Sequence, residues 1–255
     1  MINRTLFRKE MREQRWKLAG GLIYFGILAV AMVILYDLTV SMLSGLKIPA
    51  PYTADLQAMF KEYPFYLWGN WFGKNLFQSG LVFSIIVGMG LISSEVSHDT
   101  MGFLLARPVR REEVFATKYF TGAVVLAATI LLTTLLVYYT SIGIGKDLAN
   151  LSLGKLMLGA LMNFIGFVTV FSLAAYFSVL FNETIKAGAA AAVVCIIAGL
   201  PGWFPPTAKW SLFHYMQGFE IFTGKGFPWA AFLLLAAIST GMYCLGMKRF
   251  CRRDF

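Results

Sequence analysis

Charge is scarce in this sequence. Acidic and basic side chains together make up 14% of its 255 residues, while 58% are hydrophobic. A soluble domain carries about 25% charged and about 45–50% apolar residues. A fold of this size cannot hide so much apolar side chain from water, which excludes an ordinary soluble enzyme. Cysteine is sparse as well. Cys195 and Cys244 lie in apolar runs, Cys251 lies in a basic tail, and no CxxC spacing occurs. Neither a zinc site nor a disulfide framework is expected, and the three read as small buried hydrophobes. The two histidines, His98 and His214, are far apart in the chain, and no HExxH, GxSxG or paired-carboxylate site appears. No metal site is expected. Thr140 to Lys146 reads TSIGIGK, but Thr140 stands where a P-loop has its leading glycine and Asp147 where it has Ser or Thr. ATP hydrolysis by that machinery is not expected.

Long apolar runs are what the sequence has instead. Six stretches reach the roughly 20 residues that cross a hydrocarbon core of about 30 Å. They cover about 18–43, 75–94, 119–142, 156–181, 187–204 and 228–247. Their apolar residues are continuous rather than alternating, which favours helices over a barrel. The expected fold is therefore an all-α membrane protein, a bundle of six transmembrane helices that accounts for residues 1–255 as a single domain. The net charge of +9 does not form a continuous basic stripe, so nucleic acid is not expected as a partner. The basic residues cluster between the apolar runs, where they set topology. With the N-terminus in the cytoplasm, 15 of the 22 Lys and Arg residues, and every arginine, fall on the inner side. Both termini are then expected in the cytoplasm of a multi-pass protein of the cell membrane, most simply a bacterial plasma membrane.

Residues 1–17 carry Arg4, Arg8, Lys9, Arg12, Arg15 and Lys17, with Ile2, Leu6, Phe7, Met11 and Trp16 roughly on one side. They are expected to form an amphipathic interfacial helix ahead of the first span, in contact with membrane lipid, rather than a cleaved signal peptide. The outer segments 44–73 and 201–227 are rich in proline and aromatics. Such segments suit a membrane interface or short re-entrant pieces. Thr53 is expected to cap a short helix through Tyr63, and Thr184 the fifth span. Within the spans, Asp37 and Asn163 are the candidate polar-pathway or helix-contact residues.

The second inner connection, Glu95 to Lys118, reads EVSHDTMGFLLARPVRREEVFATK. It is too organised for a minimal connector. Asp99 or Thr100 is expected to cap a short helix carrying Met101, Phe103, Leu104 and Leu105, which Arg107-Pro108 ends. Arg110 and Arg111 follow, so that an apolar ridge is flanked by arginines, as on a docking surface. At this loop the sequence resembles the permease subunits of ABC-2 type transporters. These carry a pattern close to E-x3-G-T-L-x2-L-L-x2-P-[VI]-S-R-x2-I-x3-K between their second and third spans. Glu95, Thr100, Leu104, Leu105, Pro108, Val109, Arg111 and Lys118 match in register, with Val114 in place of isoleucine. Asp99 replaces glycine, Met101 leucine and Arg110 serine. Lys9-Glu10 in the basic N-terminal segment, six spans, an aromatic outer segment and a basic tail extend the resemblance in outline.

The resemblance implies a dimeric permease, probed from the cytoplasm by separate ABC ATPase subunits that bind the ATP and magnesium; this chain would bind no cofactor. Glu95 to Lys118 would then be the coupling loop, with Met101, Phe103, Leu104 and Leu105 packing into the ATPase. Arg107, Arg110 and Arg111 would pair with its acidic groups. An exporter is the expected function, with no catalysis by this chain. The alternatives are a self-contained channel or secondary carrier, or an intramembrane lipid-modifying enzyme, which would need ionisable residues clustered at one depth.

Overall fold

The structure, a computed structural model, describes residues 4–45, 62–105, 109–146, 148, 151–203, 207 and 211–254. Among the described residues it is helical throughout, without strands. We number the helices α1 (Arg4–Ile34), α2 (Tyr36–Gly45), α3 (Tyr63–Met89), α4 (Ser93–Ser97), α5 (Met101–Leu105) and α6 (Arg111–Gly143). There follow α7 (Leu153–Leu180), α8 (Thr184–Gly199), α9 (Leu212–Met216), α10 (Phe219–Phe222) and α11 (Trp229–Arg252). Six of them, α1, α3, α6, α7, α8 and α11, are long and apolar enough to cross a membrane. Residues such as Ile23, Ile27, Val193, Ile196, Ile197 and Leu233, each 54–64% exposed, cover their outward faces. Apolar faces of this extent call for a lipid surround, and the chain is a multi-pass membrane protein.

Lipid is as apolar as leucine, so helices here must associate by close packing and hydrogen bonds rather than by escape from water. α7 is the centre: 67% of its apolar window is buried, against 17% for α8. Glycines let its neighbours in. A Cβ on Gly80 of α3 would stand 2.3 Å from the Phe167 ring, and one on Gly122 of α6 2.6 Å from Phe171. At Gly88 of α3 the clash would be with the Phe171 carbonyl and the Ala174 Cβ, both at 2.8 Å. Hydroxyls bridge the same helices: Thr169 meets Ser239 of α11 at 2.8 Å and Tyr119 of α6 meets Ser172 at 2.6 Å.

Three expectations about the elements need correction. The N-terminal segment is not a separate interfacial helix, because α1 runs unbroken for 31 residues from Arg4 into the first span. The face that packs inward there is Leu6, Glu10 and Gln14, one residue per turn, while Trp16 is 74% exposed. Glu10, paired with the buried Lys118, rather than the apolar set, orients this turn. The first span is broken at Leu35, and α2 carries the helical run on from Tyr36 to Gly45. The second span begins much earlier than its hydropathy suggests. Pro64 stands in the first turn of α3, where its missing N–H costs nothing. Trp68–Asn75 then forms a π-helical stretch in which Trp71 and Phe72 are fully buried. Residues 51–61, Thr53 among them, lie outside the described residues.

The segment between α8 and α11 folds onto α7. Met216 of α9 fills the space that a side chain at Gly166 would need, and a Cβ on Gly218, whose backbone is left-handed at φ 64, would stand 3.8 Å from the Gly159 Cα. Gly166 is roughly 20 Å along α7 from its start at Leu153, at about 1.5 Å per residue. α9 and α10 therefore stand beside the first half of α7.

Candidate functional site

α3 ends at Met89, and the chain turns through Gly90 into α4. The base of the connection is tied to the bundle. The Ile92 N–H donates to the Ser178 hydroxyl of α7 at 3.3 Å, and Ser93 donates to the Thr184 hydroxyl of α8 at 3.1 Å. Thr184 thus meets Ser93, while Glu183 is the residue that precedes α8, without a side-chain cap. Asp99 sits at φ 54. It therefore adopts the left-handed conformation for which glycine is favoured and which aspartate tolerates better than most residues.

Thr100 turns back rather than capping α5. Its amide donates to the Glu95 carbonyl at 2.9 Å, and its hydroxyl donates to the Glu95 carboxylate. The same carboxylate accepts from Lys118 Nζ at 3.0 Å and from Lys9 Nζ at 3.2 Å. Lys118 also reaches both oxygens of Glu10, at 2.9 and 3.0 Å, and Lys9 reaches Glu13 at 3.2 Å. The Lys118 and Glu10 side chains are 4% and 3% exposed. Burial alone would raise the Glu95 carboxyl, but Lys118, the Thr100 hydroxyl and Lys9 outweigh it and hold the group at about 2. Glu10, Glu13 and Glu95 come close enough to suggest a cation site. The two lysine ammoniums already lie among them, so the donor set is a closed ion network and does not fit a metal.

The network joins three parts of the chain: α1 through Lys9 and Glu10, the loop through Glu95 and Thr100, and α6 through Lys118. From it α5 projects. Met101 is 3% exposed and packs into the bundle, so it is not available to a partner, whereas Phe103 is 81% exposed. The side chains of Leu104 and Leu105 lie outside the described residues, as do Arg107 and Pro108. Arg110 is exposed and extended at the start of α6, ahead of Glu112 and Glu113 in the first turn. Arg111 has another employment. Its guanidinium donates to the Arg253 and Cys251 carbonyls at 2.6 and 3.3 Å, at the end of α11, where carbonyls lack helical partners. Arg253 in turn donates to the Val179 carbonyl and the Asn182 side chain. Both chain ends, the α7–α8 turn and the loop therefore meet at one end of the bundle.

Asp37 is at the opposite end and binds Lys146 Nζ through both oxygens at 2.7 Å. Lys146 also lies over the Tyr36 ring, 4.8 Å from its centroid. Asn163 is fully buried in α7, yet its Nδ2 donates to Gly159 in the same helix at 3.3 Å, not between helices as expected. Asp37 and Asn163 are thus apart from each other and from the loop. Sequence reasoning missed Glu10 and Lys146 as partners. A carboxylate in a cationic segment, spaced one turn from Leu6 and from Gln14, was the available signal for Glu10.

A family model described as "Protein of unknown function (DUF2705)" matches residues 28–255. A search of curated proteins found no match.

Proposed function

The chain belongs to the DUF2705 family of proteins of unknown function, and we propose that it is the membrane-spanning permease subunit of an ABC transporter, working as an exporter. One observation carries the reading. Glu95, Thr100 and Lys118, residues that match the ABC-2 permease pattern at its start, middle and end, converge on one buried ion network. That network fastens the base of α5 to α1 and α6, which are both candidate spans. A push on α5 would reach two membrane helices at once, as a coupling loop requires. In this reading the loop end, with both termini, faces the cytoplasm, in agreement with the arginine distribution. Phe103 and Arg110 are the groups offered to a separate ATPase, which holds ATP and magnesium. A second permease, a copy or a relative, completes the path, and the chain itself carries no catalysis. α9 and α10 are re-entrant.

Arg111 holds the C-terminal tail, so reversing its charge would disturb the fold, whereas Arg110 and Phe103 are exposed. A P-loop ATPase is expected to copurify with the parent protein, and the double variant Phe103→Asp, Arg110→Glu is expected to fold normally and to lose it. Equal recovery of the ATPase with the variant would remove this loop as the coupling element.

A further inference from the structure

α1 packs chiefly on α6. It meets α3 where the Phe83 ring closes over Gly21, 2.7 Å from where a Cβ would stand. Beside that contact an open groove of about 420 Å³ remains between α1 and α3. Gly20, Tyr24, Val82 and Ile86 form its apolar walls, and Trp16 and Lys17 stand at the loop end of the bundle. Val82, Ile86 and Tyr24 are 40–58% exposed, so the groove opens sideways to the surround. Lys17 is its one ionisable wall residue besides tyrosine.

The charge at the mouth is not used up within the protein. Lys17 Nζ donates to the Ile86 carbonyl at 3.3 Å, near the end of α3. An ammonium has three donors, and among the described residues no carboxylate lies within salt-bridge distance of it. The carboxylate whose field it feels, Glu10, is engaged by Lys118 at 2.9 Å. A second positive charge stands close by, with the Arg15 guanidinium 5.4 Å from the Trp16 ring centroid. From Lys17 to Tyr24 the groove runs about 10 Å along the helix, at about 1.5 Å per residue. That is some two-thirds of the hydrocarbon depth of one leaflet, half of about 30 Å.

The geometry points to a site for one anionic phospholipid, its acyl chain in the α1–α3 groove and its phosphate at Lys17. The apolar walls match the chain and the unneutralised ammonium matches the headgroup. A second copy of this protein would have to bring a carboxylate into the headgroup layer to do the same. The site is independent of the transport reading, since it requires only that the chain span a membrane.

Native mass spectrometry of the detergent-purified full chain, with phosphatidylglycerol or phosphatidylcholine added, tests it. The parent protein is expected to retain one phosphatidylglycerol about fivefold more strongly than phosphatidylcholine. Lys17→Gln is expected to erase the preference while lipid still binds. Gly20→Leu is expected to abolish retention of both lipids, because a Cβ there meets no atom within 4 Å, so the side chain can grow into the open groove. Equal retention of the two lipids by the parent, or undiminished lipid on Gly20→Leu, would overturn the proposal. So would loss of a dimer on Gly20→Leu with lipid retained, which would give the groove to a second copy.

Discussion

Lys118 lies two turns into α6, among apolar residues, with its ammonium between the carboxylates of Glu10 and Glu95. An ammonium withdrawn from water costs several kcal/mol unless paired, and removing one partner of a buried pair leaves the other charges uncompensated. Lys118→Met is therefore expected to lower stability by about 3–5 kcal/mol, whereas Lys186→Met, whose pair with Glu183 is 62% and 60% exposed, should change it by less than about 1 kcal/mol. Reversible unfolding in mixed micelles checks both; similar losses would contradict the buried network. Asp99 offers a second test at this scale. Its left-handed backbone is cheaper for glycine than for a side chain bearing Cβ. Asp99→Gly should be neutral or stabilise by about 0.5 kcal/mol, while Asp99→Val should cost at least about 1 kcal/mol by the same unfolding assay. The loop pattern in the sequence marked Glu95, Thr100 and Lys118 as residues that matter. It did not reveal that they join one network, because a further member, Glu10, is some 85 positions upstream of Glu95 and only folding brings it there.

Element by element, the long helices were legible because lipid demands continuous apolar runs, and α7 and α11 begin and end within a few residues of expectation. The failures have physical causes. Hydropathy ended the apolar reading of α3 at its polar turn, yet Tyr63, Tyr66 and Trp71 find partners in Ser141, Met32 and Thr134 and keep the helix going. The basic residues of α1 suggested an interfacial helix, but Glu10 ties it to Lys118 of α6. Close packing of α3 on α7 is also invisible in composition, since every glycine looks alike there. Gly88→Ala is expected to cost about 1–3 kcal/mol because the new methyl meets a backbone carbonyl that cannot move aside. Gly102→Ala in α5, with nothing within 4 Å, should instead gain about 0.5–1 kcal/mol from helix propensity. Denaturation midpoints of the two variants should move in opposite directions; a common direction would show that α3 and α7 are not in backbone contact at Gly88.

Seen whole, the bundle is fastened differently at its two ends. One end holds the buried network and the arginine ties from Arg111 and Arg253. The other holds Asp37–Lys146, whose aspartate is 77% exposed, and the tyrosines Tyr36, Tyr63 and Tyr66 with ring centroids 4.7–6.2 Å apart. The end with the ion network also bears the short helix α5, and the other bears the aromatic cluster. The most direct measurement places a photo-crosslinking amino acid at Phe103 in cells that also make the P-loop ATPase. A covalent adduct between this position and the ATPase is expected. No ATPase adduct, with position 103 open to a membrane-impermeant reagent from outside intact cells, would contradict it.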